Sequence, residues 1–301
     1  MWQQLLSEIK EQNIKGIARS ISYIENEQYG YLELLKELPQ NETSKIIGIT
    51  GPPGAGKSTL VDALIGEIIQ AGKKVAVLCV DPSSPFNLGA VLGDRVRMSD
   101  WYTHPNVFIR SLATRGSMGG LHPKIIEISD LLKAAAFDYI IIETVGVGQS
   151  EIEIAGLADT TVVVLVPEAG DEIQTMKAGL MEIADIFVVN KADRPDADMF
   201  VKNLRLMLAP AFHQHQQEVK IIKTIANTKE GISDLFKVIE DHLQLNLVKE
   251  KKSWLLTERA MHLIQKHRMT DIVKEEVHRD INQELSGSTP FNLYAFVKKY
   301  F

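Results

Sequence analysis

The segment Gly51–Ser58, with the sequence GPPGAGKS, restricts the fold of this 301-residue chain more than any other feature. It matches the pattern G-x-x-x-x-G-K-[ST] at every fixed position. An apolar run at residues 46–50 precedes it, and a helical pattern at residues 58–70 follows it. A strand, a glycine-rich turn and a helix in this order form a phosphate-binding loop. The sequence therefore predicts a P-loop fold.

The residue types in this loop suit the phosphates of a nucleotide. Glycines let the backbone curl so that several N–H groups point at phosphate oxygens, and the N-terminus of the next helix adds partial positive charge. Lys57 is expected to reach the β- and γ-phosphates, and the Ser58 hydroxyl to ligate Mg²⁺. The loop alone does not distinguish ATP from GTP. The predicted nucleotide contacts here are Gly51, Pro53, Gly54, Ala55, Gly56, Lys57, Ser58 and Thr59.

Short apolar runs alternate with helical patterns from Lys45 to about Leu245. Continuous apolar runs of this length are typical of strands buried on both faces of a parallel sheet. The sequence therefore predicts an α/β P-loop NTPase domain with a doubly wound, mostly parallel sheet. The predicted strands cover residues 46–50, 75–80, 107–110, 139–142, 161–166, 186–189 and 219–224.

Both ends of the chain have helical patterns outside this domain. We expect an N-terminal helical extension at residues 1–40, the nucleotide-binding domain at 41–245 and a C-terminal helical region at 246–301. Thr289 and Pro290 have the residue types of a helix cap and first helical position, so they predict the start of the final helix.

Composition excludes several classes of protein. The formal net charge of −6 argues against a nucleic-acid partner, because no excess of basic residues exists to neutralise phosphates. The single cysteine, Cys79, excludes an internal disulfide and a cysteine-only zinc site, and its apolar run predicts a buried strand residue. The sequence has no apolar run of about 18 residues and no apolar signal core at its N-terminus, so we expect a cytoplasmic protein that does not cross a membrane.

A second motif, NKAD at Asn190–Asp193, follows the apolar run at 186–189. Guanine presents its N1–H and its N2 amino group side by side, and one carboxylate, here Asp193, can accept from both. Adenine lacks this donor pair, so the motif predicts GTP rather than ATP. Asn190 is expected to brace the loop, and Lys191 to lie along the base. The backbone of the next loop, TIAN at residues 224–227, is expected to cap guanine O6. Its predicted contacts are Ala226 and Asn227.

Acidic residues near the ends of predicted strands are candidates for the Mg²⁺ side of the site. Glu143 ends an apolar run, and Gly146, three residues later, is placed for its N–H to contact a γ-phosphate. Asp81 and Asp94 are further candidates, with the capping of turns as the structural alternative. The predicted metal ligands are Ser58, Asp81, Asp94 and Glu143. The predicted catalytic residues are Lys57, Asp94, Glu143 and Gly146.

Four arginines lie near these loops in the sequence. Each could offset charge on the transferred phosphoryl group, but ordinary ion pairing is the preferred interpretation for any one of them. Gln149 follows Gly146 by three positions, and the sequence identifies no residue that orients the attacking water. We therefore expect slow intrinsic hydrolysis. The arginines are Arg95, Arg97, Arg110 and Arg115.

Residues 143–151, ETVGVGQSE, resemble the signature of the MeaB/ArgK-type GTPases. The resemblance covers about residues 15–270 and implies a GTPase chaperone of cobalamin-dependent methylmalonyl-CoA mutase, whose cycle gates cobalamin delivery and helps protect the mutase. It also implies a homodimer with C-terminal helices at the interface, and an extra switch loop at residues 168–177 in which Lys177 responds to the nucleotide. Similar blocks are ARSIS at 18–22, DPSSP at 81–85, GDRVRM at 93–98 and SLATRGSMGG at 111–120.

The chain departs from this family at residues 224–227, where Ser-Ala is more usual, and its C-terminal end is not matched. Two other functions stay open. A metallochaperone-type GTPase for another metalloenzyme usually carries Cys and His ligands, and here the close pair His213 and His215 is better explained as a solvated loop. An ATP-dependent kinase acting in transport is opposed by the motif at Asn190–Asp193.

Overall fold

The computed structural model describes residues 1–81, 95–114, 121–145, 150–167, 183–212, 219–245, 250–269, 271–286 and 291–300. The chain forms two compact units, Met1–Val248 and Lys249–Phe301. Several predicted functional residues lie outside the described residues: Asp94, Arg115, Gly146, Gln149, the segment 168–177, His213 and His215.

The larger unit is built on a seven-stranded sheet in the order β3-β2-β4-β1-β5-β6-β7. All described strand pairs are parallel, as predicted for a doubly wound P-loop fold. The carboxyl ends of parallel strands meet at one edge of the sheet, so the loops that follow them lie together. The strands are β1 (Lys45–Thr50), β2 (Val75–Asp81), β3 (Val107–Ala113), β4 (Tyr139–Glu143), β5 (Thr160–Leu165), β6 (Ile186–Val189) and β7 (Lys220–Lys223).

The central strands are buried along almost their whole length, which explains their continuous apolar sequences. Cys79 is a buried residue of β2, as predicted. The strand β7 differs because it is the last strand of the sheet, and its residues Lys220 and Lys223 are exposed.

Helices cover both faces of the sheet. One core cluster lies between the sheet and two helices and includes Leu64 and Ile239, and the other includes Phe187 and Leu204. A short 3₁₀ segment, Arg95–Trp101, contributes the buried Met98 to the first cluster. The helices of this unit are α1 (Trp2–Lys10), α2 (Ile14–Glu25), α3 (Tyr31–Lys36), α4 (Lys57–Gln70), α5 (Ile125–Ala134), α6 (Ser150–Leu157), α7 (Ala197–Phe212) and α8 (Ile232–Gln244).

The N-terminal helices are joined to the sheet by a partly buried cluster of charges around Glu25. The guanidinium of Arg110, on β3, donates to Glu25 Oε2 at 2.7 Å and to Ser22 Oγ at 3.1 Å. On the other side, His122 Nε2 lies 3.6 Å from Glu25 Oε1. Arg110 is therefore an ordinary ion-pairing residue, which is the interpretation that the sequence favours for each of the four arginines.

The described residues of the smaller unit form α9 (Glu250–Arg268), α10 (Lys274–Leu285) and α11 (Leu293–Val297), followed by a 3₁₀ turn at Lys298–Tyr300. Thr289 and Pro290, the predicted start of the last helix, lie outside the described residues. The helix begins at Leu293 because the side chain of Asn292 accepts from the backbone N–H of Ala295 at 3.0 Å, which caps its first turn. Among the residues that the structure describes, no helix is long and apolar enough to cross a membrane.

Candidate nucleotide-binding site

Most of the candidate residues that the structure describes lie in loops at the carboxyl edge of the sheet. The phosphate loop follows β1, Asp81 ends β2, and Glu143 ends β4. The NKAD motif follows β6, and residues 224–227 follow β7. Because these strands are parallel and adjacent in the order given above, segments far apart in sequence reach one crevice.

The phosphate loop requires glycine at defined positions. Gly51, Gly54 and Gly56 have φ angles of 140°, 77° and 86°, which side chains disfavour. A Cβ atom on Gly51 would lie 2.1 Å from the carbonyl oxygen of Val164, and one on Gly56 would lie 2.4 Å from Asn190 Nδ2. The loop can therefore pack this closely only with glycine. Helix α4 begins at Lys57, so its first N–H groups face the loop.

Lys57 lies over the loop rather than in solvent, with 7% of its surface exposed. Its ammonium donates to the carbonyl oxygens of Gly51 at 2.9 Å and Pro52 at 3.1 Å. The loop thus holds a positive charge above its own backbone. This arrangement can attract phosphate oxygens. Because they carry more negative charge than carbonyl oxygens, they can replace Gly51 O and Pro52 O as acceptors for the ammonium.

Ser58 and Glu143 form a buried pair on the other side of the loop. The Ser58 hydroxyl donates to Glu143 Oε1 at 2.7 Å, and both residues are buried. Asp81, 4% exposed, ends the neighbouring strand. In the described part of the chain, no group of three or more His, Cys, Asp or Glu residues is placed to hold a metal ion. One hydroxyl and one or two carboxylates suit Mg²⁺, which usually keeps waters and nucleotide oxygens as its other ligands.

A contact that sequence reasoning missed joins the end of β4 to the end of β1. The Thr144 hydroxyl donates to Thr50 Oγ1 at 2.9 Å, and both residues are buried. Thr144 also donates its backbone N–H to Ile49 O at 3.0 Å. The end of β4, which carries Glu143, is therefore held against the start of the phosphate loop. Threonine residues at two strand ends carry no motif, so only the fold reveals this pair.

Asn190 connects three segments of the site through one side chain that is 2% exposed. Its amide nitrogen donates to Ala55 O, in the phosphate loop, at 2.9 Å. Its amide oxygen accepts from Thr224 Oγ1 and from the backbone N–H of Ala226, each at 3.1 Å. These three hydrogen bonds are the contacts through which Asn190 can brace the loop, the role that the sequence predicts for it.

The two residues predicted to contact the base occupy different environments. Lys191 has a φ of 56°, and its ammonium donates to Gly54 O at 2.8 Å, so its side chain lies across the phosphate loop. Asp193 is exposed at the same edge. Ala226 donates its N–H to Asn190, as described above, while Asn227 is exposed. An exposed carboxylate beside a lysine stem can accept from two adjacent donors on a planar base.

We expect Asn190→Ala to lower the free energy of unfolding by about 3 kcal/mol, since it removes three hydrogen bonds of about 1 kcal/mol each. The measurement is urea unfolding of the nucleotide-free protein. Asn203→Ala, at an exposed position of α7, is the matched control and should leave the midpoint unchanged. Equal midpoints for both variants would contradict the bracing role.

Comparison of the sequence with known proteins finds a family model and several relatives that are described as GTPases. The family model described as methylmalonyl-CoA mutase-associated GTPase MeaB matches residues 17–285. The GTPase ArgK of Escherichia coli is 34% identical over 253 residues, which are 82% of this chain and 73% of that protein. A protein of Pyrococcus horikoshii, named provisionally as a GTPase, is 46% identical over 243 residues, which are 79% of this chain and 77% of its own.

A third relative has a more specific name. The mitochondrial methylmalonic aciduria type A homolog of Caenorhabditis elegans is 39% identical over 194 residues, which are 63% of this chain and 49% of that protein.

Solved structures support the fold. A crystal structure described as a LAO/AO transport system kinase has a TM-score of 0.68 and 24% identity, and the match covers 99% of this chain and 95% of that one. HypB from Helicobacter pylori, solved in complex with nickel, has a TM-score of 0.51 and 17% identity, with 77% of this chain and 98% of that chain covered. At these identities, both similarities concern the fold alone.

Proposed function

Since the chain belongs to the MeaB family of methylmalonyl-CoA mutase-associated GTPases, and is therefore a P-loop GTPase, we propose that its GTPase cycle serves a mutase client. In this proposal the protein gates the loading of cobalamin into methylmalonyl-CoA mutase, or a related cobalamin-dependent acyl-CoA mutase, and protects that enzyme. The family description and the name of the nematode relative support a link to methylmalonyl-CoA metabolism.

The GTPase assignment implies binding of guanine nucleotides, and the proposal gives each part of the nucleotide its residues. Asp193 accepts from guanine N1–H and the N2 amino group, while Lys191 lies along the base. The exposed position of Asp193 and the contact between Lys191 and Gly54 O support this placement. Because the Ala226 N–H is already donated to Asn190, guanine O6 requires either an exchange of that bond or the neighbouring N–H of Asn227. The single structural observation that carries the nucleotide-binding part of the proposal is the junction at Asn190, which joins the base loop to the phosphate loop.

The phosphate side is proposed to hold GTP with Mg²⁺. Ser58 and Glu143, already hydrogen-bonded, would hold the ion, with Asp81 acting through water; Asp94 is also proposed as a ligand. The ion would supply positive charge to the β- and γ-phosphates. Lys57 exchanges its contacts with Gly51 O and Pro52 O for phosphate oxygens and offsets the charge that develops on the γ-phosphoryl group as water attacks in line. Gly146 contributes its backbone N–H to the γ-phosphate.

The proposal also includes a cytoplasmic homodimer that uses the C-terminal helices. Helices α9 and α10 expose large apolar side chains, including Leu256, Met261, Ile264 and Leu285, which water disfavours. A monomer at micromolar concentration in analytical ultracentrifugation would contradict this part.

The two alternative functions have weaker support. A nickel-type metallochaperone and a transport-associated kinase are suggested by solved structures whose similarity concerns the fold alone. For the kinase, adenine offers the Asp193 carboxylate no matching pair of donors. Preference for ATP over GTP in a binding assay would favour the kinase.

The experiment that tests the proposal is GTP hydrolysis by the purified protein with and without the methylmalonyl-CoA mutase from the same organism. Unassisted P-loop GTPases turn over at roughly 10⁻⁴ to 10⁻² s⁻¹, and partners that complete the site raise the rate. We expect clear acceleration by the mutase and none by an unrelated protein of similar size. A mutase that neither accelerates hydrolysis nor co-migrates with the protein would refute the client assignment while leaving the GTPase assignment intact.

A further inference from the structure

A groove lies beside the edge strand of the sheet, away from the phosphate loop. It is formed by one face of α7 and by β7, and its volume is about 400 Å³. In the described part of the chain, β7 is the last strand of the sheet, so no further strand pairs with its outer side. We name this feature the α7–β7 groove, and its lining residues are Asp198, Val201, Lys202, Arg205, Leu206 and Lys223.

The groove is basic, although the chain as a whole has a net charge of −6. Its one carboxylate, Asp198, is 2.8 Å from the ammonium of Lys223, and this contact lowers the pKa of Asp198. Lys202 and Arg205 are exposed, and neither has an ion-pair partner within the described residues. Two uncompensated cations in an acidic protein favour a ligand that carries negative charge.

The rim of the groove is apolar. Leu206, which lines the groove, has 64% of its surface exposed, and Met199, two helical turns earlier on the same side of α7, has 60% exposed. Val201, which is almost fully buried, forms part of the floor. Methionine, leucine and arginine side chains together are typical of protein interfaces rather than of small-anion sites. The ligand that fits this surface is therefore a protein segment with carboxylates and apolar side chains.

Both walls of the groove continue into the loops of the base site. Helix α7 begins at Ala197, four residues after Asp193, and residues 224–227 directly follow β7. The two loops are themselves joined, because Ala192 donates its N–H to Thr224 O at 3.1 Å. A protein bound in the groove would therefore press on elements that carry the base loops.

From these observations we propose that the α7–β7 groove is a docking surface for an acidic, partly apolar segment of the client mutase. The identity of the partner rests on the function proposed above, whereas the location and chemistry of the surface rest on the groove itself. Carboxylates of the segment pair with Lys202 and Arg205, and its apolar side chains cover Met199 and Leu206.

The test compares binding of the same organism's methylmalonyl-CoA mutase to immobilised full-length protein, wild type and variants, in the presence of GTP. The variant Lys202→Glu/Arg205→Glu reverses the charge of the groove. The control Lys15→Glu/Lys237→Glu makes the same change in net charge at two exposed positions elsewhere. We expect the groove variant to bind about tenfold or more weakly, and the control to bind like wild type.

Two further measurements accompany this comparison. The loss of affinity should shrink as salt is raised, since screening weakens exposed charge pairs. Basal GTP hydrolysis should be unchanged in both variants, which also shows that they are folded. Leu206→Asn should weaken binding even at high salt, because it removes apolar contact.

Each other outcome overturns the inference in a distinguishable way. Equal binding by the groove variant and wild type would place the mutase elsewhere on the protein. Equal weakening by groove and control variants would indicate a general effect of net charge. A groove variant that sediments as a different oligomer would indicate that a second copy of this chain occupies the groove. A wild-type protein that does not bind the mutase at all would refute the proposed function, and this assignment of the partner with it.

Discussion

The variant Asp193→Asn is expected to bind GTP at least about 100-fold more weakly than the wild type. It replaces two charge-assisted hydrogen bonds, each of about 1.5–3 kcal/mol, and leaves a base donor facing an amide donor. Xanthosine triphosphate carries a carbonyl where GTP carries the amino group, so the asparagine amide can donate to it. We therefore expect the preference of the variant to move toward xanthosine triphosphate, as measured by equilibrium titration with both nucleotides.

The matched control for this experiment is Asp196→Asn. Asp196 is also exposed, lies three positions further along the same loop and has a φ of 67°, which asparagine tolerates. Its substitution should change neither affinity. Unchanged GTP affinity in Asp193→Asn would contradict the assignment of this residue as the one that recognises guanine. Equal losses of affinity in both variants would indicate a general disturbance of the loop.

The variant Lys57→Ala is expected to lower the rate of GTP hydrolysis by about 100- to 1000-fold. The ammonium lies over the phosphate loop, and removal of one preorganised group that stabilises transition-state charge typically costs about 3–4 kcal/mol. The measurement is single-turnover hydrolysis at saturating GTP, which separates chemistry from nucleotide binding. Thermal unfolding of the nucleotide-free variant should stay close to wild type, because Gly51 O and Pro52 O can accept from water instead.

Lys237→Ala, at an exposed position of α8, controls for the loss of a positive charge. It should hydrolyse GTP at the wild-type rate. A Lys57→Ala variant that retained more than a tenth of the wild-type rate would mean that other groups offset the charge on the γ-phosphoryl group. The remaining candidates would then be Arg95, Arg97 and Arg115, since Arg110 pairs with Glu25.

The fold was predictable because its strands are buried on both faces and so carry uninterrupted apolar sequences. The difference at β3 is instructive. The apolar pattern predicted residues 107–110, whereas the strand extends to Ala113 through Arg110 and Ser111. The apolar pattern ends at the polar pair Arg110 and Ser111, and the partner that accommodates Arg110 inside the strand is Glu25, on a helix 85 residues earlier in the chain. A local pattern cannot contain such a partner.

The base side of the site shows the same division. The NKAD motif predicted the nucleotide from local chemistry, and it also predicted that Asn190 braces the loop. The motif could not predict which residues Asn190 contacts, since Ala55 is 135 positions away from it and Ala226 is 36 positions away. The pair of Thr50 and Thr144, separated by 94 positions, carried no signal in either segment.

The motifs were sufficient to identify the class of fold and the guanine nucleotide, because glycines that admit unusual φ angles and a carboxylate that matches two donors act through short stretches of chain. Tertiary structure alone decided which distant residues meet. It brought Glu143 to Ser58, placed Asn190 between two loops and left Lys202 and Arg205 exposed beside an edge strand. The physical reason is that the order of the parallel strands decides which loops become neighbours at the carboxyl edge of the sheet, however far apart they are in sequence. The sequence pattern does not specify that order.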